Sequence, residues 1–425
     1  MAHLGPFLLT ALAVATPGAA PFPSTLPAAG PGDDAPTLEE VRRAVERSIE
    51  HLLRSQETYE PDPAVGRLPS DKLEEWQDEE RRRLKKFQGR PDAAEWPYEG
   101  VYRVGKDRNI PSGYRVGGTA IVCDALLWCD TRDERTAKVR RAVQRSIDFT
   151  LEHIEDDPEL SIGPKEGYDV RGWGHAYALQ FFLTALEREA IEGEDRMAHV
   201  AATIPVLIDR IAANQTSMGG WNYANDRAVS PFMTGATLLI LFDAKARGYD
   251  VDGDMVERAL GALQKARTET GSFAYSGRAR SDVPMPGSAA RSACAELALY
   301  KAGRSDLDGL RGAITGFFEG WDALLDRKSK QGTHEGDYGI APYYFFFGHA
   351  YVALAIEELP KAERPTRRAE LARLLWETRD DDGTWNDRVF PRTSSYSTAM
   401  VVFALTAPAR PRPALWAPSP LADNK

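Results

Sequence analysis

A four-residue segment, Gly-His-Ala-Tyr, occurs twice in this chain, at 174–177 and again at 348–351. An exact doublet of this kind indicates a chain that is built from copies of one unit, and such a repeat constrains the fold strongly. Both copies lie in apolar segments with helical spacing. The repeated unit therefore contains a helix.

The chain from residue 37 onward repeats a pair of helices. The first helix of each pair is amphipathic and the second is apolar on nearly every side, which predicts outer helices with one exposed face and inner helices buried all round. The predicted outer helices are Leu38 to Ser55, Thr136 to Ile154, Met197 to Asn214, Met255 to Arg267, Leu307 to Arg327 and Pro365 to Glu377. The predicted inner helices are Val116 to Cys129, Gly172 to Glu187, Pro231 to Lys245, Ser288 to Lys301, Tyr343 to Glu358 and Ser395 to Leu405. Six consecutive pairs predict an all-α domain over 37–407 that closes into a ring.

The inner helices share one column of residues when they are aligned on their apolar runs. Its members are Thr119, His175, Thr234, Ser292, His349 and Thr398. In three copies a serine lies four places earlier, as Ser230, Ser288 and Ser394, where a hydroxyl is expected to cap the start of the helix. The two histidines are thus the exceptional members of a column of Ser and Thr.

A second signature, a glycine two places before an aromatic residue, lies between outer and inner helices. It comprises Gln215 with Gly219 and Trp221, Gln264 with Gly271 and Phe273, Gln331 with Gly336 and Tyr338, and Glu377 with Gly383 and Trp385. The glycine permits the positive backbone angle that ends a helix. The aromatic ring is expected to fill the gap between neighbouring pairs.

This spacing resembles the QW repeat of the terpenoid cyclase and protein prenyltransferase superfamily, whose fold is an α/α toroid of concentric helices. The resemblance covers about residues 37–405. Four of the six copies carry it, while an insertion before Trp96 interrupts the first and the second, near Gly163, lacks the aromatic. The resemblance implies an α/α toroid of six helical hairpins with a deep apolar cavity inside the inner helices.

Aromatic residues of the inner helices are the predicted lining of that cavity. They include Trp173, Tyr177, Phe232, Tyr343, Tyr344, Tyr351 and Tyr396. Such a lining suits an apolar, isoprenoid-like small molecule, with His175 and His349 as polar contacts or catalytic proton-transfer groups. The second and fifth repeats lie opposite each other in a ring of six, so imidazoles that point inward would grip two sides of a ligand. The alternative is that these aromatics fill the core and that each histidine binds a carbonyl or a tyrosine.

The reaction motifs of the resembling families are missing. No Asp-x-Asp-Asp sequence occurs, and Asp380 to Asp382 are predicted to lie in a solvated turn. Cys294 and His349 resemble part of a prenyltransferase zinc site, but Ser292 stands where its aspartate should be. We therefore expect no metal ion and no organic cofactor, and whether the chain is an enzyme stays open.

Two other functions stay open. Glu335 and Asp337, with Glu166 and Asp169, could serve a secreted polysaccharide hydrolase or lyase, which needs two carboxylates about 5 to 9.5 Å apart. A non-catalytic interaction scaffold would instead have a solid core and an exposed apolar patch, for example near Trp76.

The charge distribution limits the partners. Asp and Glu (63) outnumber Lys and Arg (53), and the formal charge is −10, so no nucleic-acid partner is expected. The basic residues between Arg81 and Lys86, within the 58–95 insertion, are interpreted either as a solvated face or as a peripheral membrane contact. The sequence does not indicate an oligomeric state.

The chain ends have a different composition from the repeats. Residues 1–20 resemble a signal peptide, with an apolar run from Phe7 to Val14, which predicts export to the periplasm or the medium. Residues 21–36 are predicted to be a disordered leader, and 408–425 a Pro-rich tail that is extended or disordered. The three cysteines, an odd number, are expected to be buried free thiols.

Overall fold

The computed structural model describes residues 35–58, 93–106, 108–129, 134–163, 168–223, 228–279 and 283–416. The helices in chain order are α1 (Leu38–Ser55), α2 (Ser112–Leu127), α3 (Glu134–Asp156), α4 (Arg171–Glu187), α5 (Glu194–Ala213), α6 (Pro231–Ala246), α7 (Gly253–Ala266), α8 (Met285–Lys301), α9 (Leu307–Glu319), α10 (Trp321–Leu325), α11 (Tyr344–Glu358), α12 (Arg364–Glu377) and α13 (Thr393–Thr406). Short 3-10 helices cover Pro158–Leu160 and Ala407–Ala409, and β1 (Glu57–Thr58) pairs antiparallel with β2 (Ala94–Glu95). The predicted all-α class is confirmed.

The apolar helices α2, α4, α6, α8, α11 and α13 form a closed cycle of contacts. Each packs against the next in this order, and α13 packs against α2. The amphipathic helices α3, α5, α7, α9 and α12 lie outside them, and α1 packs on α13. The first outer helix therefore contacts the last inner helix, which joins the two ends of the domain.

Outer helices pack mainly on the inner helix that precedes them in the chain, as α5 does on α4 and α9 on α8. The sequence had paired each outer helix with the inner helix that follows it. The segments from inner to outer helix are short, as at 188–193 and 247–252, and short connections favour antiparallel neighbours. The segments from outer to inner helix are longer, and they contribute residues to the candidate site.

Burial follows the two helix types. In α1 the buried positions recur every three or four residues between Val41 and Leu52, whereas in α11 every residue from Tyr344 to Glu357 is buried. Thr37 and Glu40 form a capping box that begins α1. One-sided burial suits an outer layer, and burial all round suits an inner one.

The glycine of each Gly-His-Ala-Tyr segment allows two inner helices to approach closely. A Cβ atom on Gly174 would lie 3.0 Å from the Cα atom of Gly113 in α2, and one on Gly348 would lie 2.9 Å from the Cα atom of Ala290 in α8. A side chain at either position would push the neighbouring backbone away. This glycine therefore has a packing role.

Four local predictions are wrong. The hydroxyl of Ser230 does not cap α6, and Ser288 and Ser394 lie inside α8 and α13, because both helices begin earlier than predicted. The predicted outer helix from Leu307 to Arg327 is interrupted at Gly320, between α9 and α10.

The described part of the tail lies across the carboxyl ends of inner helices. Arg410 forms an ion pair of 2.6 Å with Asp124 of α2, and the amide of Ala414 donates to Asp243 of α6. Beyond Arg410 this segment is extended rather than helical. The tail thus covers one end of the inner helices.

Several sequence predictions fall on residues that are not described. The predicted signal peptide at 1–20, nearly all of the 21–36 leader and most of the 58–95 insertion lie outside the described residues, as does the tail after 416. Cys123, Cys129 and Cys294 are buried and free. Within the part of the chain that the structure covers, no helix combines the length and hydrophobicity required to cross a bilayer.

Candidate functional site

Aromatic side chains from opposite parts of the inner layer meet near the amino-terminal ends of its helices. The ring of Trp173 lies 5.2 Å from Tyr177 and 6.1 Å from Tyr396, measured between centroids. Tyr98 lies between them, 5.7 Å from Trp173 and 4.8 Å from Tyr396. Tyr114 completes this group against Tyr98 at 5.2 Å. These five side chains are buried and form one half of an aromatic interior.

The other half surrounds Phe232 of α6. Its ring lies 5.0 Å from Tyr344, 6.0 Å from Tyr343 and 4.3 Å from Phe347. Phe347 in turn lies 4.4 Å from Tyr351. The structure therefore brings all seven predicted lining residues into two aromatic groups.

The two groups are joined by the tyrosines of the repeated segment. The hydroxyls of Tyr177 in α4 and Tyr351 in α11 are 3.3 Å apart. Burial raises the pKa of both phenols, so both stay neutral at physiological pH. The second and fifth repeats do meet across the inner layer, but they meet through tyrosine.

His175 and His349 face away from this interior. The Nε2 atom of His175 lies 2.8 Å from the carbonyl oxygen of Leu160, in the segment between α3 and α4. The Nε2 atom of His349 accepts a hydrogen bond of 3.0 Å from the indole of Trp321 in α10, and its Nδ1 atom lies 2.8 Å from the carbonyl oxygen of Phe345. These contacts direct the imidazoles towards the segment before α4, towards α10 and towards the backbone of α11, and they favour the alternative that each histidine binds a carbonyl.

The remaining members of the column face the same way. The hydroxyls of Thr119, Thr234 and Thr398 accept hydrogen bonds of 2.9, 2.9 and 3.2 Å from the backbone amides of Trp96, Trp221 and Trp385. The amide of Phe273 binds Ser288 in the same way, and Ser288 contacts Ser292. The column thus attaches connecting segments to inner helices, directly at its threonines and at His175 and through Ser288 at Ser292, whereas His349 binds α10.

The connecting aromatics mostly behave as predicted. The indoles of Trp96, Trp221 and Trp385 donate to carbonyls of the preceding outer helix. The glycines Gly219, Gly271, Gly336 and Gly383 all have positive φ. Tyr338 is the exception: it is 45% exposed and does not fill a gap.

Asp387 is a site residue that the sequence analysis missed. Its carboxyl is completely buried, and its charge acts on the phenols of Tyr98 and Tyr396. Burial raises the pKa of Asp387 from an ordinary 3.8 to about 7, although Arg388 and Ser397 act in the opposite direction. A carboxyl with this pKa is partly protonated at neutral pH and can donate a hydrogen bond or a proton.

A position in the sequence could have revealed this acid. Asp387 lies two residues after the connecting Trp385, and the same position in other repeats holds Tyr98, Tyr223 and Tyr275. At two of these positions, Tyr98 and Asp387, the side chain is buried, whereas Tyr275 is exposed. Asp387 is thus the one acid in a column that otherwise contributes tyrosines and Ile340.

A small cavity of about 70 Å³ lies below the tyrosine pair, towards the tail. Its walls include Tyr351, Leu183 and Leu239, together with Asp243 and Arg410 at the end that the tail covers. Burial raises the pKa of Asp243 to about 6. Tyr351 thus borders both the aromatic interior and this cavity, whose tail end is polar.

The carboxylates of the polysaccharide alternative have local partners. Glu335 is exposed and lies 3.3 Å from Arg327, whereas Asp169 lies 3.1 Å from Arg171. Asp337 is exposed, and Glu166 lies outside the described residues. The contacts of the described residues do not bring Glu335 and Asp169 together.

Comparisons with known proteins give distant structural similarities. No family model and no curated protein matches the sequence. The type II terpene cyclase MstE from Scytonema aligns with 88% of this chain and 99% of its own, at 14% identity and a TM-score of 0.46; a variant of that cyclase is also known in complex with geranylgeranyl dihydroxybenzoate.

Two further structures align less well. A protein from Actinoplanes aligns over 87% of this chain and 100% of its own, at 13% identity and a TM-score of 0.42. Salmonella alpha-2-macroglobulin aligns over 62% of this chain and 17% of its own, at 16% identity and a TM-score of 0.35. Similarities at these scores carry no argument about function, which must rest on the site itself.

Proposed function

We propose that this chain is an α/α toroid that binds an apolar small molecule, of isoprenoid type, within its inner helices. The observation that carries the proposal is the convergence of the aromatic side chains around Trp173 and Phe232 from opposite parts of the inner layer. Aromatic faces favour apolar and unsaturated ligands, and they stabilise positive charge through their quadrupoles. The QW-like connections support the toroid because their tryptophans join the two helix layers.

Asp387 provides a polar contact for one end of the proposed ligand. Where this carboxyl holds its proton, it can donate a hydrogen bond to an oxygen of the ligand that a carboxylate would repel. Tyr98 and Tyr396 are the members of the aromatic interior on whose phenols the charge of Asp387 acts. We infer that Asp387 acts on the polar or reactive end of the bound molecule, and that His175 and His349 serve the helix layers.

Native mass spectrometry with farnesol tests the binding proposal. We expect one farnesol molecule per chain, and we expect no binding of a maltooligosaccharide of similar mass. An interior filled by its own side chains, with oligosaccharide bound in place of farnesol, would refute the proposal and favour the polysaccharide alternative.

Two phenylalanines provide a matched pair of variants. Phe232 belongs to the aromatic interior, whereas Phe317 of α9 lies against His349, with 4.9 Å between the ring centroids. Both are buried, so Phe232→Ala and Phe317→Ala should each cost about 3–5 kcal/mol of stability. We expect farnesol affinity to fall at least about tenfold in Phe232→Ala, which corresponds to a loss of about 1.4 kcal/mol. Equal affinities in the two variants would place the binding site elsewhere.

A further inference from the structure

A second cavity lies outside the inner helices, between the end of α1 and the start of α13. Its volume is about 450 Å³, and its walls include His51, Glu57, Asp382, Arg392 and Ser394. His51 lies in the last two turns of α1, and Ser394 is the second residue of α13. The cavity is therefore built where the two ends of the domain meet, and it shares none of these residues with the aromatic interior.

Ser394 and His51 form a hydrogen-bonded pair in this cavity. The Ser394 hydroxyl lies 3.2 Å from the Nε2 atom of His51, and both side chains are half-buried. The adjacent Ser395 also lines the cavity, but its hydroxyl donates instead to Ser55 over 3.0 Å. Of two neighbouring serines, Ser394 is thus the one that a base can activate.

The charges around His51 suit a general base. Burial lowers the pKa of its imidazole, and the positive charge of Arg54 acts in the same direction. The carboxylate of Asp382 opposes this effect. The imidazole is therefore neutral and able to accept a proton at neutral pH, and Asp382 stabilises the imidazolium once it forms.

The cavity also contains a group that stabilises negative charge. The guanidinium of Arg392, two residues before Ser394, lies on the cavity wall and is paired with Glu57. A cation held beside a nucleophile stabilises an oxyanion that develops there. Nucleophile, base and cation thus line one cavity.

We propose that this cavity is a second, catalytic site, in which Ser394 is the nucleophile and His51 the general base for hydrolysis of small carboxylic esters. The Ser394 oxygen attacks the ester carbonyl carbon while its proton passes to Nε2 of His51. The carbon–alkoxy bond then breaks, and the alcohol leaves with that proton. Water next attacks the acyl-serine, gives a proton to His51 and releases the carboxylic acid, and the proton returns to Ser394. Asp380, Asp382 and Glu57 outnumber Arg392 on the walls, so neutral or cationic esters fit better than anionic ones.

Labelling of the full-length protein with an alkyl fluorophosphonate tests the proposal directly. A serine activated by a histidine displaces fluoride and becomes phosphonylated, so we expect one adduct per chain, located on Ser394 by peptide mass spectrometry. The absence of an adduct, or an adduct on another residue, would overturn the proposal.

Variants test whether His51 acts as a general base or only contacts Ser394. His51→Gln should slow both labelling and hydrolysis of p-nitrophenyl acetate at least about 100-fold, since a general base contributes about 10²–10⁴. His199→Gln is the matched control, because His199 is partly exposed, pairs with Glu155 and does not line the cavity; it should keep both rates, and circular dichroism verifies the fold of each variant. Labelling of Ser394 at an equal rate in the folded His51→Gln protein would also overturn the proposal.

Discussion

Asp387→Asn tests the most unusual group of the proposed site. The wild-type carboxyl is completely buried, with Tyr98 and Tyr396 nearby, and burial raises its pKa from 3.8 to about 7. A carboxyl whose pKa is higher in the folded state keeps its proton where the unfolded chain has already lost it. The native state therefore loses stability as the pH rises from 3.8 to about 7, and the full penalty applies above pH 7.

The size of this penalty follows from the two pKa values of Asp387. One pKa unit corresponds to about 1.4 kcal/mol, so the whole difference between 3.8 and about 7 is worth about 4 kcal/mol. A measurement at pH 5 and pH 8 covers the part of this penalty that develops between pH 5 and about pH 7, which is about 3 kcal/mol. Asn cannot titrate. The stability of Asp387→Asn relative to wild type should therefore increase by about 3 kcal/mol from pH 5 to pH 8.

Urea unfolding at pH 5 and pH 8, followed by tryptophan fluorescence, measures this difference. Asp382→Asn is the matched control, because hydrogen bonds from Thr384 lower the pKa of Asp382. A lowered carboxyl pKa stabilises the fold above 3.8, and this contribution is lost only below 3.8, so this variant should be less stable than wild type at both pH values. If the free energy of unfolding changed equally in Asp387→Asn and wild type between pH 5 and pH 8, Asp387 would not be a buried acid with a raised pKa. Its proposed role as a proton donor would then be wrong.

Three further variants test the packing that holds the site. Gly117→Ala places a Cβ atom 2.3 Å from a ring carbon of Trp173, so we expect at least about 1–3 kcal/mol of destabilisation and a changed fluorescence spectrum of that indole. Burial lowers the pKa of His349 from 6.5 to about 4, so the wild type loses stability as the pH falls through this range. His349→Gln cannot titrate and should lose up to about 2 kcal/mol less stability than wild type between pH 6.5 and pH 5. Urea unfolding at the two pH values measures this difference. Arg410→Ala leaves the buried carboxylate of Asp124 without this cation and should cost about 3–5 kcal/mol, while adding Asp124→Asn should recover a large part of it.

The repeated Gly-His-Ala-Tyr segment shows what sequence could and could not predict. Its recurrence correctly indicated two equivalent helices. Consecutive residues of a helix point about 100° apart, so the glycine contacts the neighbouring inner helix, the histidine faces the outer layer and the tyrosine faces the interior. A helix that is buried all round has no polar face that would indicate its rotation. The sequence therefore did not indicate which way the histidines point.

Periodicity predicted the elements better than it predicted their contacts. The bounds of α1 were predicted correctly, because a capping box and a one-sided apolar pattern mark its ends. Periodicity did not predict the burial of Asp387, since a carboxylate in a connecting segment is usually solvated. Only its position two residues after Trp385, where other repeats have a tyrosine, distinguishes it in the sequence. The Asp387 charge acts on Tyr98, which is distant in the chain and is brought to Tyr396 only by the fold.

A crystal structure of the protein grown with farnesol tests the central claim most directly. We predict electron density for one farnesol molecule in contact with Trp173 and Phe232, with its hydroxyl towards Asp387. An interior completely occupied by side chains, or farnesol bound only outside the inner helices, would contradict the proposed function.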